Sequence, residues 1–294
     1  MGQRTGVDGK LLGAKTHLAS FTGRATMTPE QINYFRTFGF FLSRKLLSLE
    51  EIDLLSRAFD LAMEKARGGA LKPGPGEKRQ QVIPFFDYDP DAFFPLLDDA
   101  RILDPFEQLL GENFIFTVSE GIIHTGGSAW HHDAYAPEGL FSMRAAIYLD
   151  PLGPEDGCLS VIPGSHCREF RDNLVDNKDQ LGTAPENMPG QYPLVNEPGD
   201  VLFMNHKIQH AALSDKPGRR AIHINVVQNA TSEKNQEHFD WLVDFMTRET
   251  KAWGRFLCNR LIRTAGPRRG KMLDNAIARG WGNTGAITQL QDLG

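Results

Sequence analysis

What most limits the fold of this chain is a change of texture at Gly111. Before it, the sequence carries helix-start signals and amphipathic stretches. After it come short β-prone runs at 114–118, 122–124, 145–149, 159–162, 201–204 and 221–227, with turn-forming residues between them. Helices first and strands afterwards imply a mostly antiparallel sheet system with a helical flank.

The helical half is punctuated by its own chemistry. Thr28-Pro29-Glu30-Gln31 reads as a capping box with proline at the first helical position, opening a helix to about Thr37. Gly39 ends it, and Phe40, Phe41 and Leu42 follow as a short strand. Ser48 and Glu51 repeat the box before Ile52, Leu55, Phe59 and Ala62, which share one face of a helix running to about Ala66. The stretch 68–78, rich in Gly, Pro and Lys, is a flexible loop of the kind that flanks active sites. A further helix is predicted over 92–110. Beyond Ser232 the pattern is helical again, with Phe239, Leu242, Val243 and Met246 spaced for burial. The domain reading is an arm at 1–26, one domain at 27–231 with its helices in front, and a helical extension at 232–294 packed on that domain.

At 294 residues, with 40% hydrophobic and 23% charged positions, the chain can bury a core of its own. A net charge of -5 offers no footprint for a polyanion, so nucleic acid is not expected as a partner. Arg263, Arg268, Arg269 and Lys271 form a local basic cluster, read as a solvated face. Cys158, Cys167 and Cys258 are odd in number and lack C-x-x-C spacing, which argues against a disulfide framework and for a reducing cytoplasm. No apolar run is long enough to span a bilayer, so no membrane role is expected.

The chemistry is concentrated in three places. In Trp130-His131-His132-Asp133, residues two apart along an extended segment project to one side, so His131 and Asp133 face the same point. A second histidine would complete a facial triad that binds iron(II) and leaves three positions open. Downstream, the turn Gly199-Asp200 leads through an apolar run to His206 and His210, and then to Arg219-Arg220. H-x-D, a distant histidine and an arginine about ten residues later form the order that 2-oxoglutarate chemistry requires, because a guanidinium can fork onto the far carboxylate of that co-substrate.

These residues resemble the phytanoyl-CoA dioxygenase family of iron(II) and 2-oxoglutarate oxygenases, over roughly 28–227. The family pattern W-H-x-D matches Trp130, His131 and Asp133. Its G-x-L-x-V-x-P-G-S-H matches Gly157, Leu159, Val161, Pro163, Gly164, Ser165 and His166. The resemblance implies a double-stranded β-helix (a jelly-roll, cupin-like core) of two facing antiparallel sheets, mainly β with flanking helices. It places the third ligand at His210, since His206 falls on a position that does not bind metal in the family. It also marks His124 as a candidate co-substrate contact, with a buried, satisfied histidine as the alternative, and His166 as part of a structural turn. One departure is visible: Ala211 and Ala212 stand where family members carry Gly-x-Ser-like residues, so a hydroxyl contact to the co-substrate is missing.

Strand parity separates the remaining candidates. Ile222, Ile224 and Val226 share a face with Arg220, while Ala221, His223 and Asn225 share the other with Arg219. With the polar face inward, Arg219 binds 2-oxoglutarate and Arg220 is a strand-edge charge in solvent. The same test makes Arg144 and Tyr148 candidates for the lining and for co-substrate contacts. His132 points away from the metal, and Trp130 and Phe203 read as core aromatics.

The activity so implied is that of a dioxygenase using Fe(II), 2-oxoglutarate and O2, releasing succinate and CO2 and hydroxylating an unactivated C–H bond of a small-molecule substrate. Asp133 argues against halogenation, in which a small residue replaces the carboxylate. Desaturation, epoxidation, ring rearrangement and endoperoxidation remain open, as do a non-enzymatic cupin-like metal protein, a zinc hydrolase and a homodimer. Substrate contacts are expected from 68–78, 134–143, 169–192 and the C-terminal helices.

Overall fold

The structure, a computed structural model, describes residues 25–67, 79–133, 139–176, 188, 190–229, 232–249 and 257–278. Most of the expected arm and the whole 68–78 loop lie outside them. Residues 25–27, where that arm meets the domain, are tied down: the Ala25 amide donates to Asp104, and Met27 exchanges hydrogen bonds with the Gln108 side chain.

Both capping boxes form. Thr28 and Gln31 open α1 (Pro29–Phe38), which ends where Gly39 adopts a left-handed φ of 84°. Ser48 and Glu51 open α2 (Leu49–Ala66), whose buried face is Ile52, Leu55, Phe59, Ala62 and Met63. Such caps satisfy amide groups that the helix itself leaves unpaired, each contributing about 1 kcal/mol. The single helix expected over 92–110 is instead broken. A short α3 (Pro90–Phe93) passes into a 3-10 turn at Phe94–Leu97, and α4 (Ala100–Leu110) starts afresh. Pro95 sits at the start of the 3-10 turn, and the Asp99 carboxylate caps the new helix by accepting from the Arg101 amide at 2.8 Å. A proline and a cap outweigh the continuous apolar period.

The strands are β1 (Phe40–Ser43), β2 (Arg79–Val82), β3 (Ile115–His124), β4 (Ser128–His131), β5 (Ser142–Tyr148), β6 (Leu159–Val161), β7 (Tyr192–Pro193), β8 (Val201–Asn205), β9 (His210–Ala212) and β10 (Arg219–Val227). They form a six-stranded sheet in the order β1-β8-β5-β10-β3-β2 and a four-stranded one, β4-β9-β6-β7. Every pairing is antiparallel, and the two sheets make the double-stranded β-helix. The runs 114–118 and 122–124 are one strand. Ser119 and Glu120 between them resemble a turn, but both are buried: Ser119 Oγ accepts from the Phe85 and Phe86 amides, and Glu120 meets His223.

Register fixes which side chains face inward. Arg219 lies opposite His124, which lies opposite Arg79; His223 lies opposite Glu120 and Ala146; Asn225 lies opposite Arg144. The outward residues Ile222, Ile224 and Val226 join the main core with α1, α2 and α4. Arg220, on this outward face, is not the solvated charge expected. It bridges Asp150 at 2.8 Å and Asp60 of α2 at 2.9 Å, fastening the helix to the sheet.

After α5 (Arg168–Asp176), three described C-terminal helices, α6 (Glu233–Glu249), α7 (Asn259–Arg263) and α8 (Pro267–Ala278), extend the same core through Phe239, Leu242, Leu261, Met272, Leu273 and Ala276. The side chains of Val243 and Met246 lie outside the described set. The basic cluster is likewise not simply solvated. Arg268 pairs with Asp104 and with Glu107 at 2.8 Å, while Arg269 is buried beside Asp98 and over the Phe94 ring. Lys271 reaches Glu112 at 3.1 Å. Among the described residues no helix is long and apolar enough to cross a membrane.

Candidate metal centre

The ligand set assembles from two neighbouring strands of the smaller sheet. His131 ends β4 and His210 begins β9, and the two are register partners with ring centroids 4.3 Å apart. Asp133 follows two residues after His131, and its amide donates to the His206 carbonyl at 2.9 Å. One ligand atom from each of His131, Asp133 and His210 lies within 4.8 Å of the other two, with His210 Nε2 3.9 Å from Asp133 Oδ1.

Both imidazoles are oriented by the same device. Nδ1 of His131 lies 2.7 Å from the Ala129 carbonyl and Nδ1 of His210 lies 3.0 Å from the Ile208 carbonyl. A ring nitrogen facing a carbonyl must be the protonated one, so Nε2 of each ring keeps a lone pair for a metal. Burial pushes the His210 pKa down to about 3, keeping the ring neutral. The Arg144 guanidinium beside Asp133 outweighs the carboxylate's burial and keeps it ionised. Two imidazoles and one carboxylate converging on a point make a donor set that fits iron(II).

The turn matched to P-G-S-H supports this arrangement. Ser165 Oγ donates to the Ile162 carbonyl at 2.6 Å and accepts from the Gln209 amide at 2.8 Å, pinning the backbone next to His210. His166 contacts the Arg36 carbonyl at 3.1 Å and packs over Gly39, outside the cavity. His206 is buried but turned to Asn225 Oδ1 at 3.1 Å, and it stands outside the ligand cluster. Phe203 is in the core, whereas Trp130 is only half-buried.

The triad opens into a cavity of about 680 Å³, within the roughly 300–1,000 Å³ usual for small-molecule sites. Arg219, Tyr148, Arg144 and His124 all line it, as do His132, Ala212, Glu120, His223, Arg79 and Gln81. Arg219 is held by carbonyls. Its Nη1 donates to Gly157 at 3.0 Å and Ser214 at 3.1 Å, and its Nη2 donates to Gly126 at 2.6 Å. Nε is buried with no partner among the described residues. The Nε–H and the second Nη2–H remain, a side-on fork of the kind that grips a carboxylate. Burial, aided by the guanidiniums of Arg219 and Arg79, pushes the His124 pKa down to about 3. Burial raises that of Tyr148 to about 12, so its hydroxyl stays a donor.

Arg144 faces inward, but toward the protein. Its Nη2 donates to Asp133 Oδ2, and its Nη1 lies 3.1 Å from His223 Nδ1, itself 3.2 Å from Glu120 Oε2. Glu120 was missed because a polar pair inside an apolar run looks like a turn. His223 was legible through its parity with Arg219.

A His-Asp-His cluster within a double-stranded β-helix fits a non-haem iron centre of the oxygenase type. The family model Phytanoyl-CoA dioxygenase (PhyH) matches residues 35–221, and the chain belongs to that family. It is a non-haem iron enzyme dependent on 2-oxoglutarate, with O2 as the usual co-substrate. Among solved structures it is similar to SnoK, a non-heme alpha ketoglutarate dependent carbocyclase from nogalamycin biosynthesis. Identity there is 22%, with a TM-score of 0.56 over 70% of this chain and 87% of that one. HygX from Streptomyces hygroscopicus, with nickel and 2-oxoglutarate bound, is 18% identical, with a TM-score of 0.55 over 70% and 88%. EctD from S. alaskensis is 20% identical, with a TM-score of 0.55 over 71% and 80%. No curated protein matches the sequence.

Proposed function

We propose that this enzyme hydroxylates an unactivated C–H bond of a small-molecule substrate, with His131, Asp133 and His210 as the iron ligands and Arg219 as the anchor of 2-oxoglutarate. The observation that carries the reading is the convergence of the three ligand atoms within 4.8 Å in one cavity with a half-satisfied guanidinium. When bound, iron supplies the activation of O2 coupled to oxidative decarboxylation of 2-oxoglutarate to succinate and CO2.

The chain's own residues bind, orient and exclude water. The free edge of Arg219 takes the far carboxylate. The Tyr148 hydroxyl, buried and protonated, donates a second hydrogen bond to the co-substrate, and neutral His124 closes the same row. Ala146, Leu202 and Leu159 give the cavity apolar walls, which keep water from the reacting centre. The C-terminal helices belong to this same domain, as their share of the core supports.

The test is an anaerobic titration of the iron(II) protein with 2-oxoglutarate, followed by a succinate-release screen across small-molecule classes. A visible charge-transfer band and substrate-stimulated succinate release are expected. A product carrying one atom of labelled O2, with the other in succinate, marks hydroxylation. A desaturated or cyclised product without label replaces that outcome, and the absence of any band removes the whole reading.

A further inference from the structure

We propose that Arg144 is a positioning residue of the metal centre, holding the outer oxygen of Asp133 so that this carboxylate can meet iron through one oxygen only. The inference rests on the iron and 2-oxoglutarate reading above, and it gives Arg144 a role different from the co-substrate contact expected from sequence. Arg144 is inward on β5, 6% exposed, and packed in register between Asn225 of β10 and Met204 of β8. Its two terminal nitrogens are directed at protein groups: Nη2 at Asp133 Oδ2, and Nη1 at His223 Nδ1, 3.1 Å away.

The two oxygens of Asp133 therefore have different neighbours. Oδ2 faces the guanidinium, and Oδ1 faces His210 Nε2 at 3.9 Å. A carboxylate with both oxygens free can chelate a metal through the pair. Here that would cost the centre one of the three positions left by the protein ligands, two of which a keto acid needs and one of which O2 needs. A charge-assisted hydrogen bond to Oδ2 opposes that second contact.

The guanidinium is fixed from behind as well. His223, buried and turned toward neutrality by desolvation, stands between Arg144 and the buried Glu120 carboxylate. A buried guanidinium is costly unless paired, so its position follows its anions. Asp133 and Glu120 flank Arg144 from two sides and leave it little choice of rotamer. Glu120 and His223 thus support the support, two steps from the metal.

The experiment compares wild type, Arg144→Gln and Arg144→Lys, reconstituted anaerobically with cobalt(II) or iron(II), with circular dichroism confirming each fold. For Arg144→Gln, the cobalt absorption spectrum recorded without 2-oxoglutarate should change as the second Asp133 oxygen enters as a fourth protein donor. Iron(II) affinity should be no weaker, since a neighbouring positive charge is gone. The affinity for 2-oxoglutarate, read from the charge-transfer band, should fall by roughly 10–100-fold. Arg144→Lys should return spectrum and affinity toward wild type.

An unchanged cobalt spectrum with weak 2-oxoglutarate binding would overturn the proposal in favour of direct contact with the co-substrate. A parallel loss of iron and 2-oxoglutarate affinity would reduce Arg144 to a structural role. Independently of the variants, infrared difference spectra of ¹³C-aspartate-labelled wild type on cobalt loading should show the stretch separation of a one-oxygen carboxylate; a two-oxygen separation overturns it. A wild type that binds iron without a charge-transfer band fails earlier, at the reading on which the proposal rests.

Discussion

Arg219 occupies the space that a side chain on Gly157 would need: a Cβ built there would lie 1.8 Å from Arg219 Nη1. Gly157 also has a φ of 78°, a conformation that side-chain-bearing residues adopt at a cost of about 1–2 kcal/mol. The glycine of the G-x-L-x-V pattern therefore serves the turn and the proposed co-substrate anchor at once. Gly157→Ala should weaken 2-oxoglutarate binding by roughly 10-fold or more while leaving iron binding intact. Titration of the charge-transfer band against an iron-binding isotherm checks this, and a wild-type affinity for 2-oxoglutarate would refute it.

The two adjacent arginines should separate cleanly. Arg219→Lys loses the fork, and with a charge-assisted hydrogen bond contributing about 2 kcal/mol, 2-oxoglutarate affinity should drop by roughly 30-fold. Arg220→Met breaks the bridge to Asp60 and Asp150. Because that pair is partly exposed, a stability loss of about 1 kcal/mol is expected, with 2-oxoglutarate affinity unchanged. Urea melts and co-substrate titrations on both variants decide it; reversed roles would move the anchor to Arg220.

His210→Ala should abolish iron(II) binding. His206→Ala should retain it and lose roughly 1–3 kcal/mol of stability, because the buried hydrogen bond between His206 and Asn225 Oδ1 is lost. Calorimetric iron titrations and melting curves separate the two. Full activity of His210→Ala beside a dead His206→Ala would reverse the ligand assignment.

The metal-free protein should be acid-sensitive well above the usual carboxylate range. Burial pushes the His206 pKa down to about 4 and that of His210 to about 3, from 6.5. Between those limits the unfolded chain binds more protons than the folded one, so stability falls as pH drops through 6.5. By pH 5 the loss is roughly 2 kcal/mol per histidine. The urea midpoint at pH 7 and pH 5 measures it, and equal midpoints would show that these rings ionise freely in the fold.

Arg268 should couple α8 to α4. Arg268→Ala and Asp104→Asn are each expected to destabilise the protein, and the double variant by less than their sum, with a coupling of about 1 kcal/mol. Strict additivity would make the bridge energetically idle.

Much of this protein depends on residues close in sequence, and that part was legible. The capping boxes at Thr28 and Ser48, the strand parity that turned Arg219 inward and Arg220 outward, and the two-residue spacing of His131 and Asp133 follow from backbone periods of 3.6 and 2. The Ser119-Glu120 pair inside β3 did not, because only a cavity and a partner strand make those polar residues buried ones. The break at Pro95 and Asp99 was written in the sequence, yet it competed with an apolar period that continued across it. Arg268 and Arg269 looked solvated until α8 was laid against α4. Arg144 reaches Asp133 across 11 residues and His223 across 79. The sequence determined which side chains each strand turns inward; only the pairing of strands decided which inward groups meet, because register between distant segments is set by the packing of the whole core.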